Sequence, residues 1–300
     1  MSQKIAVAVT HGLGNGEPKI KHNQVREPNF LTTLKENLFK QFQQLGLSEA
    51  EVNSKFEFVP IYWAPVLQVP QNKLWQKLKQ GNEMRWLGLR EYLLSFVSDA
   101  VAYQPTPHKR HVYDAMHGVF SQALHKSAVL AGEKAPLCVI SHSLGTVIAE
   151  NYFYELQVHY ESKGKNYNFI NPVLRLMGNT PIERGETLSL FYTMGSPLAL
   201  WTVRDPNFGQ PIQFPPPKLS THHPNIQPEW VNFYDKDDVI GFPLKSINEA
   251  YNQAVTQDKQ VNVGGWTQSW NPMSHNNYWT DDRVNCYVAE ALVSLWNRVN

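Results

Sequence analysis

Hydrophobic residues recur along this chain with two periods. Six short runs carry the β-type pattern: 4–10, 55–63, 137–140, 188–194, 230–234 and 260–263. Longer stretches between them repeat every three or four residues and predict helices. Phe30, Leu31, Leu34, Leu38 and Phe42 share one face of a helix over 29–45. Leu74, Trp75, Leu78, Trp86, Leu89, Leu93, Phe96, Val97 and Val101 extend a helical pattern through 64–103. Further helices are expected over 108–130, from Leu144 onward, and over 281–299. The segments 160–184, 201–228 and 272–279 read as loops. Pro60 lies inside the second apolar run, so that strand belongs at an edge or a bulge. Strands that alternate with helices imply an α/β fold, with a mostly parallel central sheet flanked by helices and right-handed crossovers. One domain spans 1–300, and 64–130 is a helical insertion and candidate cap.

The sharpest local pattern is Pro136 to Glu150. Leu137-Cys138-Val139-Ile140 is an apolar strand; Ser141-His142-Ser143-Leu144-Gly145 is a turn of mostly small residues. Leu144, Val147, Ile148, Tyr152 and Leu156 then recur at helical spacing. A strand, a tight turn and a helix would lift Ser143 to the carboxyl edge of the sheet. Such a turn crowds the backbone, so the positions two before and two after Ser143 must be small. Gly145 and Ser141 occupy them. Leu144 N–H, at the helix start, would face a developing oxyanion. A bland alternative is a serine that only caps the helix.

Composition narrows the classes. The net charge of +1 gives no pull toward nucleic acid or an anionic surface. Two cysteines, Cys138 and Cys286, make no disulfide framework and no metal-type spacing, so two buried free thiols are expected. No apolar run reaches the ~18 residues of a membrane span. The N-terminus runs Met-Ser-Gln-Lys directly into a strand, with no secretory signal pattern. The expectation is a cytoplasmic protein.

Other motifs are weighed against this turn. His11-Gly12-Leu13-Gly14-Asn15-Gly16 follows the first strand at once. A dinucleotide site needs the glycines to open a helix, and Glu17-Pro18 does not. The loop instead suits backbone donation to an oxyanion, with Leu13 N–H the donor and His11, Gly12 and Gly14 in support. A nucleophilic serine needs a base and an acid that orients the base. The strand at 230–234 runs into Asp235, Asp237 and Asp238. Asp238 is preferred because Val239-Ile240 re-enters apolar structure, with Asp235 the runner-up and Asp205 a lesser alternative. His275 alone follows the last strand and precedes the last helix. His142 neighbours the nucleophile but should point elsewhere, His11 should support its loop, and His222 and His223 precede the acid strand. His108 and His111 form a weak pair, no H-E-x-x-H exists, and neither a metal nor a cofactor is expected.

Together these residues resemble the α/β-hydrolase superfamily in its lipase- and esterase-like branches. His11-Gly12-Leu13-Gly14 resembles the oxyanion loop, and Ser141-His142-Ser143-Leu144-Gly145 the G-H-S-x-G elbow with Ser in place of the first Gly. Gly195-Ser196-Pro197 resembles the turn after the following strand, Asp235-x-x-Asp238-Val239 the acid turn, and His275-x-x-Tyr278 the triad loop. The resemblance implies the α/β-hydrolase fold and a serine hydrolase that cleaves carboxylic esters through an acyl-enzyme. Ser143, Asp238 and His275 would be catalytic, Leu13 and Leu144 would donate to the oxyanion, and His142 and Gly145 would support the turn. An acyltransferase or thioesterase using the same residues, or a binding protein that kept the fold, are the alternatives. The substrate would be a small-molecule or lipid ester, and the Trp- and Leu-rich 64–101 region suggests transient contact with a membrane surface. Oligomeric state is left open by the sequence.

Overall fold

The computed structural model describes residues 2–12, 27–80, 85, 87–106, 108–161, 171–263 and 272–300. Six strands build one sheet: β1 (Ile5–Thr10), β2 (Phe56–Ile61), β3 (Leu137–His142), β4 (Leu188–Met194), β5 (Glu229–Asp235) and β6 (Gln257–Val261). Their order is β2-β1-β3-β4-β5-β6, and every pairing is parallel. The expected α/β class with a parallel sheet is therefore present. Pro60 pairs opposite Val9 on β2, an edge strand, where the missing N–H costs no ladder bond.

Helices cover both faces. On one side lie α1 (Asn29–Gln44) and the C-terminal helix, here numbered α11 (Asp282–Val299). Ile5, Val7 and Val9 of β1 point toward them, packing with Phe30, Leu34, Val288 and Leu292. Ala6 and Ala8 face the other way, toward α5 (His111–Ala131) and α6 (Leu144–Glu161). Alternation with a period of two is what a strand buried on both faces requires. A bulge shifts the β3–β4 register at Leu137/Cys138. Ser189 is the extra residue, so Leu188 and Phe191 both reach the α5–α6 side. Between β2 and α5 run α3 (Pro65–Lys79) and α4 (Leu87–Tyr103), which pack against each other and against α5.

Several boundaries differ from the periodicity. A short helix, α2 (Glu49–Lys55), precedes β2. It is capped by Ser48, which accepts from Glu51 N–H while Glu51 reaches back to Ser48 N–H. The segment 160–184 holds the end of α6 and a six-residue helix, α7 (Asn171–Leu176). After β4, the long loop carries the short helices α8 (Leu198–Thr202) and α9 (Leu219–His222), and α10 (Glu249–Ala254) precedes β6. The strand β6 starts three residues earlier than its apolar run and ends at Val261. The 272–279 segment is a 3₁₀ helix, Pro272–Thr280, rather than an open loop. Both cysteines are free thiols, with Cys138 buried and Cys286 only partly so.

This topology fixes where a site can form. From β1 the chain moves outward to β2, then returns past β1 to β3. The loops after β1 and β3 therefore leave toward opposite faces and open a crevice at the carboxyl edge. His11-Gly12 and Ser143 are the residues that stand there.

Candidate active site

Ser143 follows β3 immediately and has φ of 53°, a left-handed conformation that a residue with a side chain adopts at a cost. Its neighbours hold it there. Ser143 N–H donates to Met194 O at the end of β4 (2.9 Å). Ser143 O accepts from Thr146 N–H (2.9 Å) and from the Thr146 hydroxyl (2.7 Å). The Ser196 hydroxyl donates in turn to Thr146 Oγ1 (2.7 Å). Neither Thr146 nor Ser196 was identified as a support from the sequence, because their partnership joins two loops far apart in the chain.

The small residues around the turn are required by close approach. A Cβ at Gly145 would lie 2.4 Å from His11 O, and one at Gly12 would lie 2.3 Å from Ser143 Cβ. Ser141 stands where the resemblance expects glycine, and the hydroxyl is accommodated by donating to Tyr192 O (2.9 Å). Leu144 opens α6, so its N–H has no acceptor within the helix and is free to serve a ligand. Leu13, the other expected oxyanion donor, and Gly14, expected to support its loop, lie outside the described residues.

Asp238 and His275, drawn from separate loops, meet in a buried pair. Asp238 Oδ2 accepts from His275 Nδ1 (2.7 Å) and from the Tyr278 hydroxyl (2.9 Å), while Oδ1 accepts from Ile240 N–H (3.0 Å). Burial alone would raise the Asp238 carboxyl pKa; the His275 bond, with Ile240 and Tyr278, instead holds it below its ordinary value. Asp238 is thus ionised at neutral pH and fixes His275 with Nδ1–H toward it, leaving Nε2 as an acceptor. Asp235, the runner-up, is consumed elsewhere: its carboxylate accepts from Asp237 N–H (3.0 Å) and Val263 N–H (2.7 Å). Asp205 is exposed and sits beside Arg204. Gly195, with φ of 54°, lets the pair approach β4, since a Cβ there would lie 2.8 Å from His275 Cε1 and 3.0 Å from Asp238 Oδ2.

The other histidines take structural positions. His142 Nε2 donates to His275 O (2.7 Å), and burial drives its pKa down to about 3, so the ring is neutral. His11 donates from Nδ1 to Gly12 O (2.5 Å), stacks on Trp63 at 4.6 Å and is likewise neutral, its pKa lowered by burial to about 4. Trp63 Nε1–H closes this corner by donating to His11 O (3.0 Å). His222 and His223 bond to Glu186 and to Lys134 O, away from the crevice.

What remains is chemically open. Ser143 Oγ and His275 Nε2 are buried polar atoms with no hydrogen-bond partner among the described residues. Ser143 is bonded to Met194, and the next residue, Gly195, touches His275, so one short segment carries both. A buried hydroxyl and a buried imidazole acceptor left unpaired each cost about 1–3 kcal/mol, which favours a function that uses them. Such a set can deprotonate a hydroxyl and stabilise an adjacent negative charge.

Compared with family models, with curated proteins and with solved structures, the chain gives no significant match to any of them. The fold and site define it as an α/β protein with an all-parallel six-stranded sheet, Ser143 at its topological switch point and a buried, hydrogen-bonded Asp238–His275 pair. No helix among the described residues is long and apolar enough to cross a membrane.

Proposed function

We propose that the protein is a serine hydrolase of the α/β-hydrolase kind that cleaves carboxylic esters. The observation that carries this reading is the unpartnered Ser143 Oγ on a left-handed turn, in a site whose buried His275 keeps Nε2 bare and is held by Asp238 at 2.7 Å. Ser143 Oγ attacks the ester carbonyl as its proton passes to His275 Nε2. The negative charge that forms on the carbonyl oxygen is met by Leu144 N–H, with Leu13 N–H as the second donor. Asp238 stabilises the imidazolium and remains ionised. His275 then returns the proton to the leaving alcohol, and water, deprotonated by the same imidazole, releases the acid. The strand order supports the assignment, since it brings the turn after β1 against the turn after β3.

The α3–α4 hairpin is proposed as a cap. It leaves the sheet at the carboxyl end of β2, the edge that carries Ser143. Leu74 and Leu78 are exposed on α3 among Lys73 and Lys77, and Leu87 is exposed on α4, which suits an acyl chain or a lipid surface better than a polar substrate.

Labelling with a fluorophosphonate and mapping of the modified peptide tests the reading. Modification of Ser143 that disappears in His275→Ala is the expected result. A folded protein that stays unmodified, with and without detergent, would sink it. Product analysis with alcohol, amine and thiol acceptors then separates hydrolysis from acyl transfer.

A further inference from the structure

A second cleft, of about 290 Å³, lies along α6 away from Ser143 and is not used by the ester chemistry. That volume sits near the lower end for small-molecule sites. Glu150 enters it from α6, two turns or about 10 Å beyond Ser143 along the helix axis. The Glu150 residue is only 5% exposed, and its Oε1 has no hydrogen-bond partner among the described residues. Trp201, Tyr154 and Tyr251 form the walls, with the Trp201 indole N–H also buried and unpartnered.

The rim is built under strain. Asn207 and Phe208 both have positive φ, 53° and 62°, in the loop that follows α8. Asn248 holds that loop by donating from Nδ2 to Asn207 O (3.0 Å) and Gly209 O (3.1 Å). The half-exposed Phe208 ring is thereby kept at the mouth of the cleft. Backbone strain at a ligand-sized cleft is a common mark of function.

We propose that this cleft binds a small organic ammonium ion, with Glu150 as its counter-charge and Trp201, Tyr154 and Tyr251 as aromatic walls. Ile212 N–H is the backbone donor to the Glu150 carboxylate, and the open Oε1 still lacks a positive partner when the group is ionised, while aromatic faces attract a weakly hydrated cation. The one cation on the lining among the described residues, Arg204, is already engaged: Nη1 donates to Gln104 Oε1 (2.8 Å) and Nε lies 3.5 Å from Asp205 Oδ2. Arg204 and Asp205 offset each other, which leaves Glu150 as the uncompensated charge. A hard metal ion is disfavoured, since no group of three or more His, Cys, Asp or Glu among the described residues is arranged to hold one.

Protonation ties binding to pH. Burial raises the Glu150 pKa to about 8, against the Ile212 N–H and Arg204, which favour the ionised form, and Asp205, which does not. Tyr154 and Tyr251 are the other titratable groups at the cleft. Only the ionised carboxylate pairs with an ammonium ion, so affinity rises with pH through this range.

Isothermal titration with tetramethylammonium chloride, which does not itself titrate, provides the test, with sodium chloride and sodium propionate as controls. One saturable site is expected at pH 9, about tenfold weaker at pH 7, with proton release on binding at pH 7. Glu150→Gln should abolish both the binding and its pH dependence, while Tyr154→Ala on the rim weakens it severalfold. The proposal fails if folded protein gives no saturable binding at pH 9, if Glu150→Gln binds as tightly as wild type, or if propionate saturates instead. Should Glu150→Gln not fold, unchanged affinity in both Tyr154→Ala and Trp201→Leu would overturn it. None of these results depends on whether Ser143 cleaves esters.

Discussion

His142 Nε2 donates to the backbone carbonyl of His275 across 2.7 Å, tying the residue before the candidate nucleophile to the residue that carries the candidate base. The two rings lie 4.7 Å apart, and both are buried. The bond requires a proton on His142 Nε2, and the lowered pKa keeps the ring neutral, so no second positive charge competes with a His275 imidazolium. His142 is a positioning residue. His142→Ala should lower kcat about tenfold to a hundredfold with little change in KM, as loss of an orienting partner does elsewhere. His142→Gln, whose amide can reach the same carbonyl, should recover part of the loss. Equal activity in wild type and His142→Ala would show that the 3₁₀ helix holds His275 without help.

The acid assignment separates two aspartates that lie three residues apart. Asp238→Asn should leave the fold intact and cost roughly 10³–10⁴ in kcat, because an amide no longer favours Nδ1–H on His275. Asp235→Asn should leave kcat nearly unchanged and cost about 1–3 kcal/mol of stability, since its carboxylate accepts from Asp237 and Val263 N–H. Steady-state kinetics and thermal melts on both variants check this. The opposite pattern would move the acid role to Asp235.

Much of this was legible because it is local. The strands β1, β3 and β4 are buried on both faces and appear in the sequence as predominantly hydrophobic stretches. Asp238 rather than Asp235 bonds to His275, because Asp235 is the last residue of β5 and its side chain closes the turn there. The elements misplaced or missed are those in which hydrophobicity carries little information. The edge strand β6 reads Gln-Asp-Lys-Gln-Val and is half solvated, so pairing with β5 decides it. The seven-residue α2 buries only Val52, and its signal was the Ser48-x-x-Glu51 capping box rather than a period. The Ser196–Thr146–Ser143 chain joins residues 50 apart and has no local trace.

Two glycines should not tolerate a methyl group. Gly12→Ala would drive a Cβ to 2.3 Å from Ser143 Cβ, and Gly145→Ala to 2.4 Å from His11 O. Neither contact is the far end of a flexible side chain, so the two turns must separate. Overpacking of this kind costs about 1–3 kcal/mol. Fluorophosphonate labelling should fall at least tenfold in each, because Ser143 moves relative to His275. Ser141→Gly is the control: it removes one hydroxyl bond to Tyr192 O and adds no bulk. Its labelling rate should stay within about threefold of wild type. If Gly12→Ala labels normally, the turns are not in the contact described.

Stability should peak near pH 6.5, because two sets of buried groups oppose each other. Burial lowers the pKa of His11 to about 4 and those of His117 and His142 to about 3. In the unfolded chain each titrates near 6.5. Below that value the unfolded state takes up protons that the native state refuses, so their contribution is complete above pH 6.5 and is lost as pH falls toward 4 and 3. Glu150 and Asp99 act in the other sense, with burial raising their pKa values to about 8 and about 7. Asp114 and Glu155 are also raised by burial. The contribution of these carboxyls is complete below their unfolded values and is lost as pH rises through 7 and 8. Between about 4.5 and 6.5 the slopes oppose each other; above that range the raised carboxyls lower stability, and below it the histidines are joined by carboxyls held low in the native state, Glu186 at about 2 and Asp238, whose contribution is lost as pH falls. The melting temperature of the wild type should therefore fall on both sides of this range. Glu150→Gln carries no titrating group at that position, so its melting temperature should fall less than that of wild type between pH 6.5 and 9. Parallel curves for the two proteins over that interval would mean that Glu150 is ionised and paired in the native state, contrary to its unpartnered Oε1.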